Sequence, residues 1–418
     1  MKILLVNTMT IGGAISCTRV HTGLLDKGYD SHLLTLWNDG NIAVPRHELM
    51  PLPSPPPLME RVSRKIGLSH DTVPNKDVLF ANKSKKHEIF FLYHTYHHIH
   101  KHPLYKEADI VNFHMMGYML DFVSFFKNND KKMVWTLHEM SAFTGGCAFA
   151  EDCRGYQQSC QDCPQLVGTP EPNIAQTQLA YKLDTFSKKS PNLNVVAPSN
   201  WLLNSSKESR LFNQYDHHLI PYGVEIDIFK PMSGELRQEL GLPADKKILL
   251  FVAGSTKNYR KGLDLLLGAL ENIQNADDLL ICTVGSKDLN LKTNVPTHHF
   301  GRIEDKKQLA KVYNIADVFV APSREDNLPN TVLESIACGT PVIAFNIGGM
   351  PDMIKHGENG ILCGEATSNN LQKGIEGFLK NEYAFDSQKI YQDAQARYYP
   401  ARQIDAYIEL FEKIHAQK

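Results

Sequence analysis

The sequence predicts an α/β protein made of two doubly wound domains that face a central cleft. Short apolar runs typical of buried strands alternate with helical patterns at the N terminus, and a second such series begins near residue 194. The length of 418 residues also exceeds what one ordinary hydrophobic core organises. Because open α/β sheets bind ligands beyond the carboxyl ends of their strands, functional residues are expected in the loops there.

The pattern divides the chain into three parts. Residues 1–190 are interpreted as an N-terminal domain and 191–397 as a C-terminal domain, with a seam near "TFSKKSPNL". Residues 398–418 form an amphipathic helix that is expected to pack back on the N-terminal domain. The proline-rich and histidine-rich segment 44–106 interrupts the first series and is interpreted as an insertion over the rim of its sheet.

Composition narrows the class of protein. A hydrophobic fraction of 42% and a net charge of −2 are typical of a globular protein and give no general reason to expect a nucleic-acid partner. No apolar run reaches the roughly 20 residues that span a bilayer, and "MKILLVNT" is too short for a signal peptide. We therefore expect a cytoplasmic protein. The basic patches "RVSRK" and "NKSKK" are expected to be solvated, with peripheral contact to the inner face of a membrane as the alternative.

Two carboxylates stand eight positions apart in "VFVAPSREDNLPNTVLESIACGTPVIAF". Asp326 lies in the loop after a predicted strand, and Glu334 lies about one turn into a helix that begins near Asn330. The N terminus of that helix suits a phosphate, and a carboxylate one turn further suits ribose hydroxyls. The spacing alone leaves open that Asp326 only caps the loop and that Glu334 is a solvated helix residue.

A second strand-loop-helix segment, "FVAGSTKNYRKGLDLLLGAL", carries two adjacent cations. Arg260 and Lys261 follow the strand and precede the helix. A forked guanidinium beside a compact ammonium group suits a diphosphate, whereas a solvated pair before a helix is the alternative.

Taken together, these motifs resemble those of the retaining glycosyltransferases of family four, which have the GT-B fold. The resemblance rests on "RKG", on "APSREDNLPNTVLESIACGTPVIA" with its following Gly-Gly, on "IPYGVEIDIF" and on the N-terminal "GGA" loop. It covers most of the chain and is weakest over residues 44–106.

The resemblance implies a role for each matched position. Asp326 and Glu334 match the family's acid pair, of which the first contacts the donor sugar and the second the ribose. Lys261 and Arg260 match the group that neutralises the diphosphate. Other matched positions are expected to contact the phosphates or the sugar: Gly12, Gly13, His138, Asn330 and Thr331.

Some positions depart from the family pattern. The first acid is Asp326 instead of the usual Glu, so Glu325 beside it is an alternative functional acid. Ser255 stands where an Arg is common, which leaves the positive charge to Arg260 and Lys261.

The resemblance implies transfer of a UDP- or GDP-linked sugar to a hydroxyl, with retention at the anomeric carbon, in the synthesis of a surface polysaccharide or another glycan. The acceptor is expected to be a glycan or a lipid-linked molecule. Catalysis would come mainly from stabilising the leaving diphosphate, so no cofactor is required for the chemistry. Two alternatives remain open: a nucleotide-sugar epimerase of the same architecture, and a non-catalytic nucleotide-sugar-binding protein.

Four cysteines cluster within 17 residues, in the loop 147–163. Their spacing is C-x5-C-x6-C-x2-C, formed by Cys147, Cys153, Cys160 and Cys163. Four thiolates can hold one structural zinc ion, and reduced thiols or a redox pair are the alternatives.

The histidine run that follows "FFLY" is expected to form a partly buried surface helix, on which His94 and His98 would share one face.

Overall fold

The computed structural model describes most of the chain in nine segments. They are residues 1–10, 15–38, 43–52, 90–166, 173–254, 258–271, 273, 276–285 and 291–417. Several predictions therefore fall outside the described residues: those on Gly12, Gly13 and Ser255, both basic patches, and most of the predicted insertion.

The described chain forms two compact units. Unit 1 comprises residues 1–198, 202–220 and 404–418, and unit 2 comprises residues 199–201 and 221–403. Each unit is built around one parallel β-sheet with helices.

Unit 1 contains a seven-stranded sheet in the order β3-β2-β1-β4-β5-β6-β7. Its strands are β1 Lys2–Asn7, β2 Asp30–Thr35, β3 His47–Leu49, β4 Ile110–Phe113, β5 Lys132–Thr136, β6 Leu193–Ala197 and β7 Asp216–Leu219. The helices up to the end of this sheet are α1 Ile15–Asp26, α2 Pro103–Glu107, α3 Phe122–Asn128, α4 Ile174–Lys188 and α5 Asn200–Glu208. All strand pairs are parallel, and the order reverses between β1 and β4, as in doubly wound folds.

Unit 2 repeats this arrangement with six strands in the order β10-β9-β8-β11-β12-β13. The strands are β8 Lys247–Val252, β9 Leu279–Val284, β10 Thr297–His299, β11 Val318–Ala321, β12 Val342–Phe345 and β13 Gly360–Cys363. The helices are α6 Leu236–Glu239, α7 Leu263–Leu270, α8 Lys306–Ile315, α9 Asn330–Ala337, α10 Met350–Met353, α11 Ser368–Leu379 and α12 Ser387–Tyr398. The last helix, α13 Pro400–Ala416, begins in this unit but belongs to unit 1 from residue 404 onwards. Two hydrophobic clusters that share strands of this sheet form the core of the unit.

The predicted boundary at 190/191 differs from the boundary in the structure. Strand β6 pairs with β5 and β7 pairs with β6, so both extend the first sheet and unit 1 continues to residue 220. The apolar runs of the two domains look alike in sequence. Only the hydrogen bonding of β6 and β7 shows to which sheet they belong.

The last helix contributes to the core of unit 1. Residues 404–418 belong to that unit, and Tyr407 and Phe411 are fully buried in a cluster with strand residues such as Ile3 and Leu5. The Tyr407 hydroxyl also lies 2.9 Å from the Thr136 hydroxyl, at the end of β5. Residues 398–403 of the predicted segment belong instead to unit 2.

The predicted histidine helix is wrong at its centre. Residues 94–98 are irregular, and only a single 3₁₀ turn at Ile99–Lys101 and the short α2 follow. His94 pairs with Asp121, with 3.1 Å between Nδ1 and Oδ2, instead of sharing a helical face with His98. Pro103, which starts α2, limits helix formation before it because the residue preceding a proline disfavours the helical region.

Among the helices that the structure describes, none combines the length and the apolar character needed to cross a bilayer.

Candidate functional site

Two neighbouring strands of unit 2 place the predicted donor-binding residues side by side. Strands β8 and β11 pair in parallel, so the loops at their carboxyl ends meet at one edge of the sheet. The loop after β8 ends in a 3₁₀ turn, Tyr259–Lys261, and the loop after β11 leads into α9. This topology brings Arg260 and Lys261 to the residues just before α9.

A cluster of two cations and one carboxylate forms where these loops meet. Lys261 Nζ lies 2.7 Å and Arg260 Nη1 3.1 Å from the same oxygen, Oδ2 of Asp326. The Asp326 residue is only 6% exposed. Burial would raise the pKa of its carboxyl, but Lys261 and Arg260 outweigh burial, and the pKa falls below its usual range. Asp326 is therefore an ionised carboxylate beside two cations.

Arg324 connects the loop after β11 with the loop after β8 through hydrogen bonds. Its guanidinium donates two hydrogen bonds to the Asp264 carboxylate, at 2.8 and 2.6 Å, and one to the Tyr259 carbonyl at 2.7 Å. It also lies 3.7 Å from the centre of the Tyr259 ring. The Arg324 backbone N–H donates to the Arg260 carbonyl at 2.8 Å. Sequence reasoning missed this residue, because its partners lie about 60 positions away in the chain.

Two glycines allow the backbone to approach the site closely. A Cβ at Gly262, where φ is +69°, would lie 1.8 Å from the carbonyl oxygen of Pro322. A Cβ at Gly349 would lie 1.6 Å from the carbonyl oxygen of Asn327. Both distances are far inside van der Waals contact, so a side chain at either position would push these loops apart.

The second predicted acid, Glu334, has a defined partner inside unit 2. The hydroxyl of the fully buried Tyr313 donates to Glu334 Oε2 at 3.0 Å. Burial, followed by the nearby Glu334 carboxylate, raises the pKa of Tyr313 well above its usual value, so the phenol stays protonated and can donate. This contact could not be predicted from the sequence, since Tyr313 has the residue type of an ordinary core position of α8.

The remaining predicted residues of unit 2 lie next to this cluster. Asn330 and Thr331 are the first two residues of α9, and Pro329 before them provides no side-chain cap. Glu325 is 7% exposed, and its carbonyl accepts a hydrogen bond from Arg260 Nη1 at 2.8 Å. The contact of Glu325 or Asp326 with a donor sugar stays a prediction.

His138 lies in unit 1, two residues after β5. Its Nε2 is 2.9 Å from Nδ1 of His114, and the two rings stack. Burial lowers the pKa of His138 to about 4, so the ring is neutral near pH 7. Burial raises the pKa of the neighbouring Glu139 to about 7.

A buried lysine supports the loop that begins at His138. Lys182 on α4 is fully buried, and its Nζ donates to the carbonyls of Ser141, Ala142 and Thr144 at 2.9, 3.2 and 3.0 Å. Burial lowers its pKa to about 7, whereas three carbonyl acceptors favour the charged ammonium form with its three donors. The sequence did not single out Lys182.

The four clustered cysteines line one small cavity in unit 1. The Gly145 and Gly155 N–H groups donate to the sulfur atoms of Cys160 and Cys153 at 3.2 and 3.4 Å. Within the described part of the chain, however, no three His, Cys, Asp or Glu side chains are arranged around a common metal position. The predicted zinc site therefore stays a prediction.

Comparison with known sequences finds a family similarity in unit 2. A family model described as glycosyl transferases group 1 matches residues 232–397, a region that contains the cation pair and both predicted acids. Residues 232–397 are thus similar to the group 1 glycosyl transferases. This agrees with the resemblance drawn from its motifs.

Curated relatives of this chain include proteins named as glycosyltransferases. A D-inositol 3-phosphate glycosyltransferase from Xylanimonas cellulosilytica is 31% identical over 40% of this chain and 46% of its own length. The match to that relative thus spans less than half of it. A putative colanic acid biosynthesis glycosyl transferase, WcaC of Escherichia coli, is 23% identical over 68% of this chain and 69% of the relative.

Solved structures confirm the predicted fold of the chain. Sucrose-phosphate synthase from Thermosynechococcus elongatus superimposes with a TM-score of 0.68 at 18% identity, covering 100% of this chain and 99% of that one. Anabaena Alr3699/HepE, solved in complex with UDP and glucose, gives a TM-score of 0.65 at 15% identity, with 99% and 100% coverage. At such identities the likeness establishes the fold alone, which is GT-B with two Rossmann-like units.

Proposed function

We propose that this protein is a retaining glycosyltransferase that moves a hexose from a nucleoside diphosphate sugar to a hydroxyl of a glycan or lipid-linked acceptor. The observation that carries the proposal is the cluster in unit 2. Arg260 and Lys261 meet the loop before α9, whose N terminus lacks a side-chain cap, and Glu334 follows one turn later.

Each part of this arrangement suits one part of a nucleotide sugar. Arg260 and Lys261 supply two positive charges for the diphosphate, and the N–H groups at the start of α9 add a partial positive charge. Glu334, oriented by Tyr313, is placed to accept hydrogen bonds from ribose hydroxyls. As the sugar departs, negative charge grows on the diphosphate, and fixed cations that stabilise it would provide most of the catalysis.

The donor nucleotide, the stereochemistry, the biosynthetic role and the location in the cell are each proposed on separate grounds. A UDP-linked donor is favoured by the likeness to Anabaena HepE, which was solved with UDP and glucose, and a GDP-linked donor remains within the proposal. Retention follows from the resemblance to family four. A role in polysaccharide synthesis is supported by the similarity to the putative colanic acid enzyme WcaC. We place the protein in the cytoplasm, where nucleotide sugars are made.

A donor screen tests the proposal. The purified protein is mixed separately with UDP-, GDP-, ADP- and dTDP-sugars. Thermal stability and release of free sugar are measured for each. We expect one nucleotide family to raise the melting temperature and to be hydrolysed slowly, because binding to the native state alone stabilises it. Adding polysaccharide fragments or lipid-linked sugars should then convert hydrolysis into transfer with retained anomeric configuration, which NMR of the product reports.

Three results would contradict the proposal in different ways. If no nucleotide sugar stabilised the protein, the proposed donor site would be wrong. Binding without hydrolysis or transfer, whatever acceptor is added, would indicate a non-catalytic binding protein. A changed sugar on an intact nucleotide, formed without an acceptor, would indicate an epimerase.

A structural zinc ion at the four clustered cysteines is a separate part of the proposal. Its support is that all four line one cavity and that two sulfur atoms accept backbone N–H bonds, as thiolate ligands of zinc do. Because no three of them converge on one position, binding requires rotation of cysteine side chains. Such an ion would be structural, since four thiolates leave no coordination position open.

Metal analysis of the purified protein tests the zinc proposal. We expect about one zinc per chain, lost in a Cys160→Ser variant together with thermal stability. Cys363→Ser is the matched control, since Cys363 is a buried cysteine of unit 2 outside the cluster. Metal-free protein with four reactive thiols, or with a disulfide found by mass spectrometry, would overturn it.

A further inference from the structure

The carboxylate of Asp326 contacts several groups of the protein. Its Oδ2 atom contacts Lys261 Nζ and Arg260 Nη1 and accepts a hydrogen bond from the Ser323 hydroxyl at 3.2 Å. Its Oδ1 atom accepts the N–H of Asn327 at 3.2 Å. Both oxygens therefore have partners within unit 2.

The two cations are poorly exposed and need such a partner. The side chains of Arg260 and Lys261 are 13% and 24% exposed. Two like charges this close, and this far from water, repel each other and lose solvation, and a shared carboxylate offsets both effects. The cluster then carries a net charge of +1, from two cations and one anion.

We propose that Asp326 is a positioning residue that holds Arg260 and Lys261 in place before the donor binds, and that the donor's diphosphate replaces it as their anionic partner. This inference rests on the proposed function, since it presumes that the cations bind a diphosphate. It differs from the role that the resemblance implies, which is a contact with the donor sugar. The shorter aspartate side chain fits the new role because it reaches the cations directly from its loop.

The two roles predict opposite effects of neutralising the carboxylate. If Asp326 competes with the diphosphate for the cations, Asp326→Asn leaves a cluster of charge +2 that attracts anions more strongly. If Asp326 instead holds the donor sugar, the amide leaves affinity for a bare nucleoside diphosphate unchanged and weakens binding of the nucleotide sugar.

The experiment is calorimetric titration of the full-length protein with UDP, GDP and the corresponding nucleosides, at low and high salt. We expect Asp326→Asn to bind the preferred nucleoside diphosphate about tenfold more tightly than the wild type at low salt. The gain should shrink at high salt, because screening weakens charge attraction. The uncharged nucleoside should bind both proteins equally.

Asp317→Asn is the matched control. Asp317 also bridges an arginine and a lysine, with 2.8 Å to Arg237 and 3.5 Å to Lys247, but it precedes β11 whereas Asp326 follows it. The control variant should bind the nucleotide like the wild type. A merely structural carboxylate at position 326 would behave in the same way as this control.

The outcomes separate the inference from the function on which it rests. Wild-type protein that binds no nucleoside diphosphate would overturn both. Wild-type binding with equal or weaker binding by folded Asp326→Asn would overturn the inference alone. If circular dichroism shows that Asp326→Asn does not fold, Asp326→Ser, which is smaller and also neutral, takes its place with the same expected tightening.

Discussion

Replacing Lys182 by methionine is expected to lower the free energy of unfolding by about 3 kcal/mol. Methionine has a similar length and fills the same space, but it cannot donate to the three backbone carbonyls that the ammonium group now serves. Those carbonyls belong to the loop between Ser141 and Thr144, and each would be left buried without this donor. The contact between Lys182 Nζ and the Tyr93 ring, 4.1 Å from its centroid, would also be lost.

Removing a buried charge does not always destabilise a protein, because its desolvation cost disappears as well. Here the acceptors are backbone carbonyls that stay in place when the lysine is removed. The free-energy cost of burying them without a donor therefore remains. Urea denaturation followed by circular dichroism measures the change. Lys188→Met is the matched control, since Lys188 lies on the same helix with a side chain 68% exposed. Equal stability of the two variants would show that the Lys182 contacts contribute nothing.

The second large effect is expected from Lys261→Met. This change removes one of the two positive charges that the proposal assigns to the diphosphate. We expect kcat/KM for sugar transfer or donor hydrolysis to fall about 100- to 1000-fold, which is typical when one group that stabilises developing negative charge is lost. The fold should persist, because Lys261 is partly exposed and Arg260 remains as a partner for Asp326.

Rates with the donor found in the screen measure this effect, and thermal unfolding checks the fold. Lys311→Met is the matched control, since Lys311 also forms an ion pair in unit 2, with Glu239 at 2.8 Å. The control should keep the wild-type rate. If Lys261→Met also kept the wild-type rate, Lys261 would not bind the diphosphate as proposed.

The sequence predicted that the two cations and the first acid lie in loops at one edge of the second sheet. Strand-loop-helix patterns are local, and the carboxyl ends of neighbouring parallel strands meet at one edge. For that reason Arg260, Lys261 and Asp326 could be placed together from their loops, and the structure brings the charged atoms of both cations within 3.1 Å of Asp326 Oδ2. The fold class followed from the same alternation of patterns.

What the sequence could not show depends on contacts between distant positions. The membership of β6 and β7 in the first sheet depends on the hydrogen bonds of the series β5-β6-β7. The contacts of Lys182 are with backbone carbonyls about 40 positions earlier. The roles of Tyr313 and Arg324 also depend on contacts with positions far away in the sequence. Their residue types are ordinary for a helix and a loop, and only the packed structure shows that they contact Glu334 and Asp264.

The position of α13 has a consequence for how this chain is made. Residues 404–418 complete the hydrophobic core of unit 1, where a Cβ on Gly23 would already touch Ile404 at 2.5 Å. The rest of that unit is synthesised before the 183 residues 221–403 of unit 2. The hydrophobic core of unit 1 therefore stays incomplete until residues 404–418 have been synthesised as well. Nascent chains that stall within unit 2 would be natural targets for chaperones, because exposed apolar surface favours aggregation.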